Sequence, residues 1–442
     1  MKRKRALFVA YGGGHVAMVL PVIRELERRR PDIECMLMAL TTGHLKAKAV
    51  RPVLGYHDFL HLVDAAAARL WGERLSEGNA SPDVPTDETV AYLGINYLEL
   101  IEQFGPEGAA AFFQQHGRRG FRPQHFLRRV LAFLQPDVVV ATNAPRSEQA
   151  ALEAARTMGM ASVGMVDLFG LDTDPYVRRE NKPDVTCVLA EDVKKRLIQR
   201  GFDTKQVVVT GNPAFDGLFT ADNLDKARHF IEAKGWGKLD CLLWAGQTEP
   251  RSHPMTTAPA GRALPIEIES VLRSHVRQRE GLALIVRYHP SDWFSYPRHP
   301  DEPRIHFSIT PEEPLHPLIL AARMVVVQTS TVGLEAAIAG KPVISVENAP
   351  GAYHGFSLAR LGVSVPSATP SELPQAIDAL LASATAGSVA PGHSAYASDG
   401  RAASRVAQVV EQALENGCQP AHPPTPETEA PVPGLDSRQD RT

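Results

Sequence analysis

The chain has 442 residues, too many for one ordinary hydrophobic core, so two domains are expected. With 44% hydrophobic and 22% charged residues it has a soluble globular composition, and a net charge of −3 offers no basic field for nucleic acid. Cys35, Cys187, Cys241 and Cys418 lie far apart, without a CxxC pair or metal-ligand spacing, which argues against a disulfide scaffold and for a reducing compartment.

The N-terminus, "MKRKRALFVAYGGGHVAM", is basic and then apolar, but three glycines and a histidine break the apolar run. It reads as a first strand and its loop rather than a signal peptide. No stretch approaches the ~18 apolar residues of a membrane span. A cytoplasmic protein is expected, with peripheral contact at the inner face of the plasma membrane left open.

Strand-like runs follow at 5–11, 33–40, 137–142, 161–166, 185–190 and 206–211, several separated by amphipathic helical stretches such as 19–30 and 147–159. The rhythm restarts at 240–246 and continues through 282–290, 324–330, 341–346 and 362–365. Apolar strands alternating with helices predict parallel sheets covered on both faces. The expectation is an α/β protein of two Rossmann-like, doubly wound domains, 1–215 and 216–416. Within the first, 76–90 reads as a loop and 109–134 as helical with basic patches, serving either acceptor or membrane contact or as a helical cover for the sheet. Residues 417–442 are rich in Pro, Thr and Glu and are expected to be disordered.

In open parallel sheets, ligands bind beyond the carboxyl ends of the strands. After strand one come Gly13, Gly14 and His15: glycines that permit close backbone approach, a helix start that attracts anions, and a base near neutral pH. Asn143 and Glu148 follow the third run, Asp167 the fourth and Asn212 the sixth, all placed toward an acceptor-side site. In the second half, Gly246 and Gln247 offer donors, while Arg287 and His289 suit phosphate. Ser330, Thr331 and Gly333 form a hydroxyl-lined loop at a helix start, and Glu335 suits the vicinal hydroxyls of a ribose.

Together these stretches resemble the GT-B superfamily of nucleotide-sugar enzymes, two Rossmann-like domains facing one cleft. "YGGGHVAMVLPVIREL" is similar to the Gly-rich loop of the bacterial peptidoglycan glycosyltransferase that acts on lipid-linked sugars and of plastid galactolipid synthases. "VTGNPAFDGL" is similar to a segment shared with the UDP-N-acetylglucosamine 2-epimerases, and "STVGLEAAIAGKPVISV" to the GT-B donor-site segment. "RYHP" resembles the HP motif of sialyl- and Kdo-transferases, whereas the basic N-terminal loop of the epimerases has no counterpart in "YGGGH".

The resemblance implies a glycosyltransferase moving a sugar from a nucleotide-sugar, UDP ahead of CMP, to a glycan or lipid-linked acceptor in surface polysaccharide or glycolipid synthesis. His15 or Asp167 would take the acceptor proton, Glu335 would hold the ribose, and neither metal nor cofactor is called for. A 2-epimerase-like enzyme and a non-catalytic polysaccharide-assembly protein are the alternatives.

Overall fold

The computed structural model describes residues 3–417 except 78–83, 173, 253, 259, 301, 311, 355, 368, 386–395 and 397. Of the expected disordered tail, everything beyond Gly417, Cys418 included, lies outside the described residues.

Two six-stranded sheets, parallel throughout, organise the chain. The first uses β1 (Lys4–Tyr11), β2 (Ile33–Leu40), β3 (Val138–Thr142), β4 (Ala161–Met165), β5 (Val185–Val188) and β6 (Val207–Val209) in the order β2-β1-β3-β4-β5-β6. The second uses β7 (Asp240–Gly246), β8 (Leu282–Tyr288), β9 (Ile305–Phe307), β10 (Met324–Val327), β11 (Val343–Val346) and β12 (Val365–Ser367) in the order β12-β11-β10-β7-β8-β9. All five residues of β3 and all seven of β8 are buried. Helices cover both faces, which is why the strands read as apolar runs rather than alternating ones. β9 escaped the sequence reading because His306 interrupts its apolar residues, and β12, expected at 362–365, meets the observed strand only at Val365.

Each sheet reverses its winding once. In the first, the chain leaves β1 for β2 on one side and returns to β3 on the other; in the second, β7 lies between β8 and β10 in the same way. The crevices beyond β1/β3 and β7/β10 are therefore where such folds receive ligands.

The segment 43–135 folds as helices over the first sheet. Helices Ala65–Ser76 and Thr86–His116 cross closely, because a Cβ at Gly94 would lie 1.7 Å from the Ala68 carbonyl oxygen, and one at Gly72 would lie 2.0 Å from that of Val90. The loop expected at 76–90 gives way to helix from Thr86 onward, and its centre, 78–83, lies outside the described residues. Among the described residues no helix is long and apolar enough to cross a membrane.

The last helix, Ala402–Asn416, follows the second sheet in sequence but packs on the first. Val406, Ala407 and Val410 bury against Phe8, Val22 and Val140. Asp216 accepts hydrogen bonds from the amides of Ala402 (3.0 Å) and Ala403 (2.7 Å), capping the helix start. Arg29 makes a two-point pair with Glu411 (2.7 and 3.0 Å), and Arg405 donates to the Thr210 carbonyl (2.7 Å). The chain thus crosses between the lobes near 215 and again near 400.

Candidate active site

At the first crevice, β1 delivers the loop that opens helix Gly12–Arg29, and β3 delivers Thr142 and the start of helix Ser147–Thr157. Gly12 takes φ +76°, a left-handed conformation that side chains resist, and this turns the chain directly from strand into helix. Gly13 and Gly14 lie in the first helical turn, with no side-chain cap and no acid there; Lys46 Nζ donates to the Gly13 carbonyl (3.3 Å). His15, one step on, points across to β3. Its Nδ1 is 2.8 Å from Thr142 Oγ1 and 3.8 Å from Glu148 Oε1, and its Nε2 is 3.6 Å from Asp167 Oδ2.

Asp167 stands just beyond β4. Asn143 Nδ2 donates to Asp167 Oδ1 (3.0 Å) and to Asp174 Oδ2 (2.7 Å), so one amide bridges two carboxylates. The Asp167 amide returns a bond to Asn143 Oδ1 (3.1 Å), and Asn212 Nδ2 donates to the Asp167 carbonyl (2.6 Å). Five residues expected from sequence, His15, Asn143, Glu148, Asp167 and Asn212, meet here in one network. Sequence reading missed Thr142, because a threonine ending a β-strand carries no signal beyond β-propensity.

Burial alone would lower the pKa of His15, but its bonds to Asp167 and Glu148 outweigh that and raise it to about 9. A pKa of about 9 favours the imidazolium form of His15 at neutral pH, whereas the sequence reading expected a base. The two carboxylates move apart. Burial pushes both up; for Asp167 the hydrogen bonds and charge of His15 reverse the effect and hold it below the usual range. For Asp174 burial prevails, and it stays above that range. Two carboxyls driven in opposite directions are the arrangement from which separate acid and base roles arise.

The second crevice is built differently. The Gln247 amide donates to Gln328 Oε1 (3.1 Å), and its side-chain Nε2 donates to Thr329 Oγ1 (2.8 Å), joining the ends of β7 and β10. Thr248 bonds Asp292 and, at 2.9 Å, the Tyr296 hydroxyl. A cavity of about 470 Å³ opens here, lined by Gln247, Thr248, Pro250, His289, Ser291, Asp292, Thr329 and Gly351. His289 is exposed, and its Nδ1 accepts the Ser291 amide (3.2 Å), so the proton of the neutral ring is on Nε2.

Other residues expected to touch phosphate do different things. Arg287 is buried; its guanidinium donates to Ser308 Oγ (2.8 Å) and to the carbonyls of Glu313 (2.8 Å) and Thr310 (3.4 Å), clamping the loop after β9. Burial lowers its pKa, and its donors point into the protein, away from a phosphate. Gly333 is enclosed: a Cβ there would lie 2.7 Å from Leu358 Cδ1 and 3.0 Å from Val327 Cγ2, so its smallness lets helix Val332–Ile338 sit close on the sheet. Gly246 is held for the same reason, with Tyr288 Cε1 at 2.6 Å from the position of a Cβ. Ser330 Oγ accepts the Val332 amide (3.3 Å), while Thr331 is exposed. Glu335, partly buried, pairs with His316 Nε2 at 3.3 Å.

Three residues lining the second crevice, Ser291, Asp292 and Gly351, were not legible from sequence. The dipeptide after His289-Pro290 supplies the first two, and a helix beyond β11 supplies the third.

Solved structures share this architecture. A UDP-GlcNAc 2-epimerase from Methanocaldococcus jannaschii matches with a TM-score of 0.53 at 14% identity, covering 92% of this chain and 99% of that one. The MnaA–UDP structure from S. aureus matches at 0.52 and 15%, covering 93% and 97%. A variant of the wall teichoic acid polymerase TagF matches at 0.50 and 10%, covering 94% and 90%. At these identities the likeness establishes the fold, GT-B with two Rossmann-like lobes. No curated protein matches the chain. Residues 181–411 match the sequence model of the family described as UDP-N-acetylglucosamine 2-epimerase, over half of the 442 residues, and the chain belongs to that family.

Proposed function

We propose that the chain inverts the C2 configuration of a UDP-linked N-acetylated sugar by eliminating and re-adding UDP within one site. The observation that carries this reading is the triad of ionisable groups beyond β1, β3 and β4: imidazolium His15, ionised Asp167, and Asp174 with its carboxyl pKa raised, the two carboxyls tied through Asn143. Elimination needs a base to take the C2 proton while the C1–oxygen bond breaks and UDP departs with the bonding pair. Re-addition needs an acid to return a proton to C2 from the opposite face as UDP re-forms the C1 bond. Asp167 is suited to the first step and Asp174 to the second, with His15 offsetting negative charge beside them.

The second crevice would hold the nucleotide through Gln247, Thr329 and His289, with Glu335 on the ribose. Residues 1–215 and 216–416 would then be the two lobes that close on the substrate, strapped together by helix Ala402–Asn416.

The runner-up is sugar transfer, in which Asp167 would instead deprotonate an acceptor hydroxyl. It is favoured by one feature, the "YGGGH" loop, which carries no arginine or lysine where the epimerases have a basic loop. Incubation with UDP-N-acetylglucosamine in D₂O without acceptor separates the two. A 2-epimer bearing deuterium at C2 is the expected result. Recovery of unlabelled substrate, with UDP released only after acceptor glycans are added, would replace the epimerase reading with the transferase one.

A further inference from the structure

Helix Ser147–Thr157 brings to the site a carboxylate for which the reaction above has no use. Glu148 is 0% exposed and cannot touch a substrate. Among the described residues its Oε2 has no hydrogen-bond partner, and its Oε1 faces the Thr142 hydroxyl at 3.5 Å. Thr142 is equally buried and stands between Glu148 and His15, its Oγ1 2.8 Å from Nδ1.

The direction of these bonds follows from what each group can do. A carboxylate only accepts, so the single Thr142 proton points to Glu148 and the Thr142 lone pair is left for Nδ1. Nδ1 must then carry a proton in both the neutral and the charged ring. Nε2, 3.6 Å from Asp167 Oδ2, is the nitrogen free to exchange.

We infer that Glu148 is a positioning residue which, through Thr142, holds a proton on His15 Nδ1 and reserves Nε2 for exchange with Asp167 or the substrate. This rests on the reading of His15 and Asp167 as groups that meet the substrate. A buried carboxylate with one unpartnered oxygen needs a cation nearby, and His15 supplies it on the side of the site. The other charged groups lie farther round. Arg146, which also feels the charge of Glu148, is stacked 4.2 Å over the Tyr11 ring; Lys46 is held at the Gly13 carbonyl; and Asp174 lies behind Asn143. The raised pKa of His15 agrees with a ring flanked by Glu148 on one side and Asp167 on the other.

The test is ¹⁵N NMR of the histidine-labelled full chain, with a pH–rate profile beside it, on Glu148→Gln. The amide of a glutamine can donate to Thr142 Oγ1, turning the threonine proton onto Nδ1 and moving the ring proton to Nε2. The expected results are a His15 midpoint falling from about 9 toward 6.5, a neutral tautomer switched from Nδ1–H to Nε2–H, and kcat lower by ~10²-fold with KM little changed. Thr142→Val should reproduce the lowered midpoint and Thr142→Ser should restore it, which keeps the question answerable if Glu148→Gln does not fold. A folded Glu148→Gln chain whose midpoint and tautomer match the wild type overturns the inference. The NMR result needs no substrate, so a tautomer switch in a chain that performs no epimerisation would sink the proposed function and leave the Glu148 link standing.

Discussion

The two crevices occupy equivalent places in equivalent sheets, yet their chemistry is opposite. Beyond β1 and β3 the polar groups are ionisable and mostly enclosed, and they are wired to one another: His15 to Thr142 and Asp167, Asn143 to Asp167 and Asp174. Beyond β7 and β10 the lining is largely neutral and hydroxyl-rich, open enough to leave His289 exposed and a cavity of about 470 Å³. Enclosure strengthens charge interactions and shifts pKa values, which proton transfer requires; an open array of neutral donors and acceptors suits holding a polar ligand. The proposed function uses this contrast, with reaction on the first rim and recognition on the second.

The sharpest way to break this division is Asp167→Asn. It removes the group assigned as base while retaining the shape that Asn143 and Asn212 contact, so kcat should fall by ~10³-fold with UDP affinity unchanged by calorimetry. A large loss of UDP affinity instead would mean the first rim also holds the nucleotide.

Next in size is a contrast within β8 and its loop. Arg287→Ala leaves Ser308 and two carbonyls without their donor and should cost about 1–3 kcal/mol of stability in urea unfolding, with little effect on UDP affinity. His289→Ala should do the reverse, weakening UDP binding by ~10-fold, or about 1.4 kcal/mol, while the unfolding midpoint stays put. Equal effects from both would erase the distinction between scaffold and ligand residue.

The smallest effect is in pH dependence. The pKa of His15 is about 9 in the folded chain, above its ordinary 6.5, so the folded state binds the proton more tightly. The stability from that proton is complete below about pH 6.5 and is lost as pH rises through 9. Urea midpoints measured from pH 6 to 10 should decline in that window, and the decline should flatten in His15→Gln. An identical decline in the variant would assign the effect to other groups.

Much of this molecule was legible in its sequence for identifiable reasons. Strands buried on both faces are largely apolar, so ten of the twelve announced themselves as apolar runs; His306 broke the run of β9, and β12 was expected at 362–365, ahead of its observed Val365–Ser367. Residues placed just after those runs had to fall at the carboxyl ends of the sheets, so His15, Asn143, Asp167 and Asn212 could be nominated before any contact was known. What they do there was less visible. Arg287 and Gly333 had the right residue types for phosphate, but strand pleat and helix packing turned both inward.

The order of hydrophobic and polar residues by itself determined the two parallel sheets and the loops that carry chemistry, because strand period and burial are written locally. Only the tertiary structure decided the charge state of His15, which depends on Glu148 and Asp167, more than 130 positions away along the chain, being folded against its two nitrogens. It also decided that helix Ala402–Asn416 closes the first lobe, because the Asp216 carboxylate and the apolar face of helix Gly12–Arg29 that receive it lie far earlier in the chain.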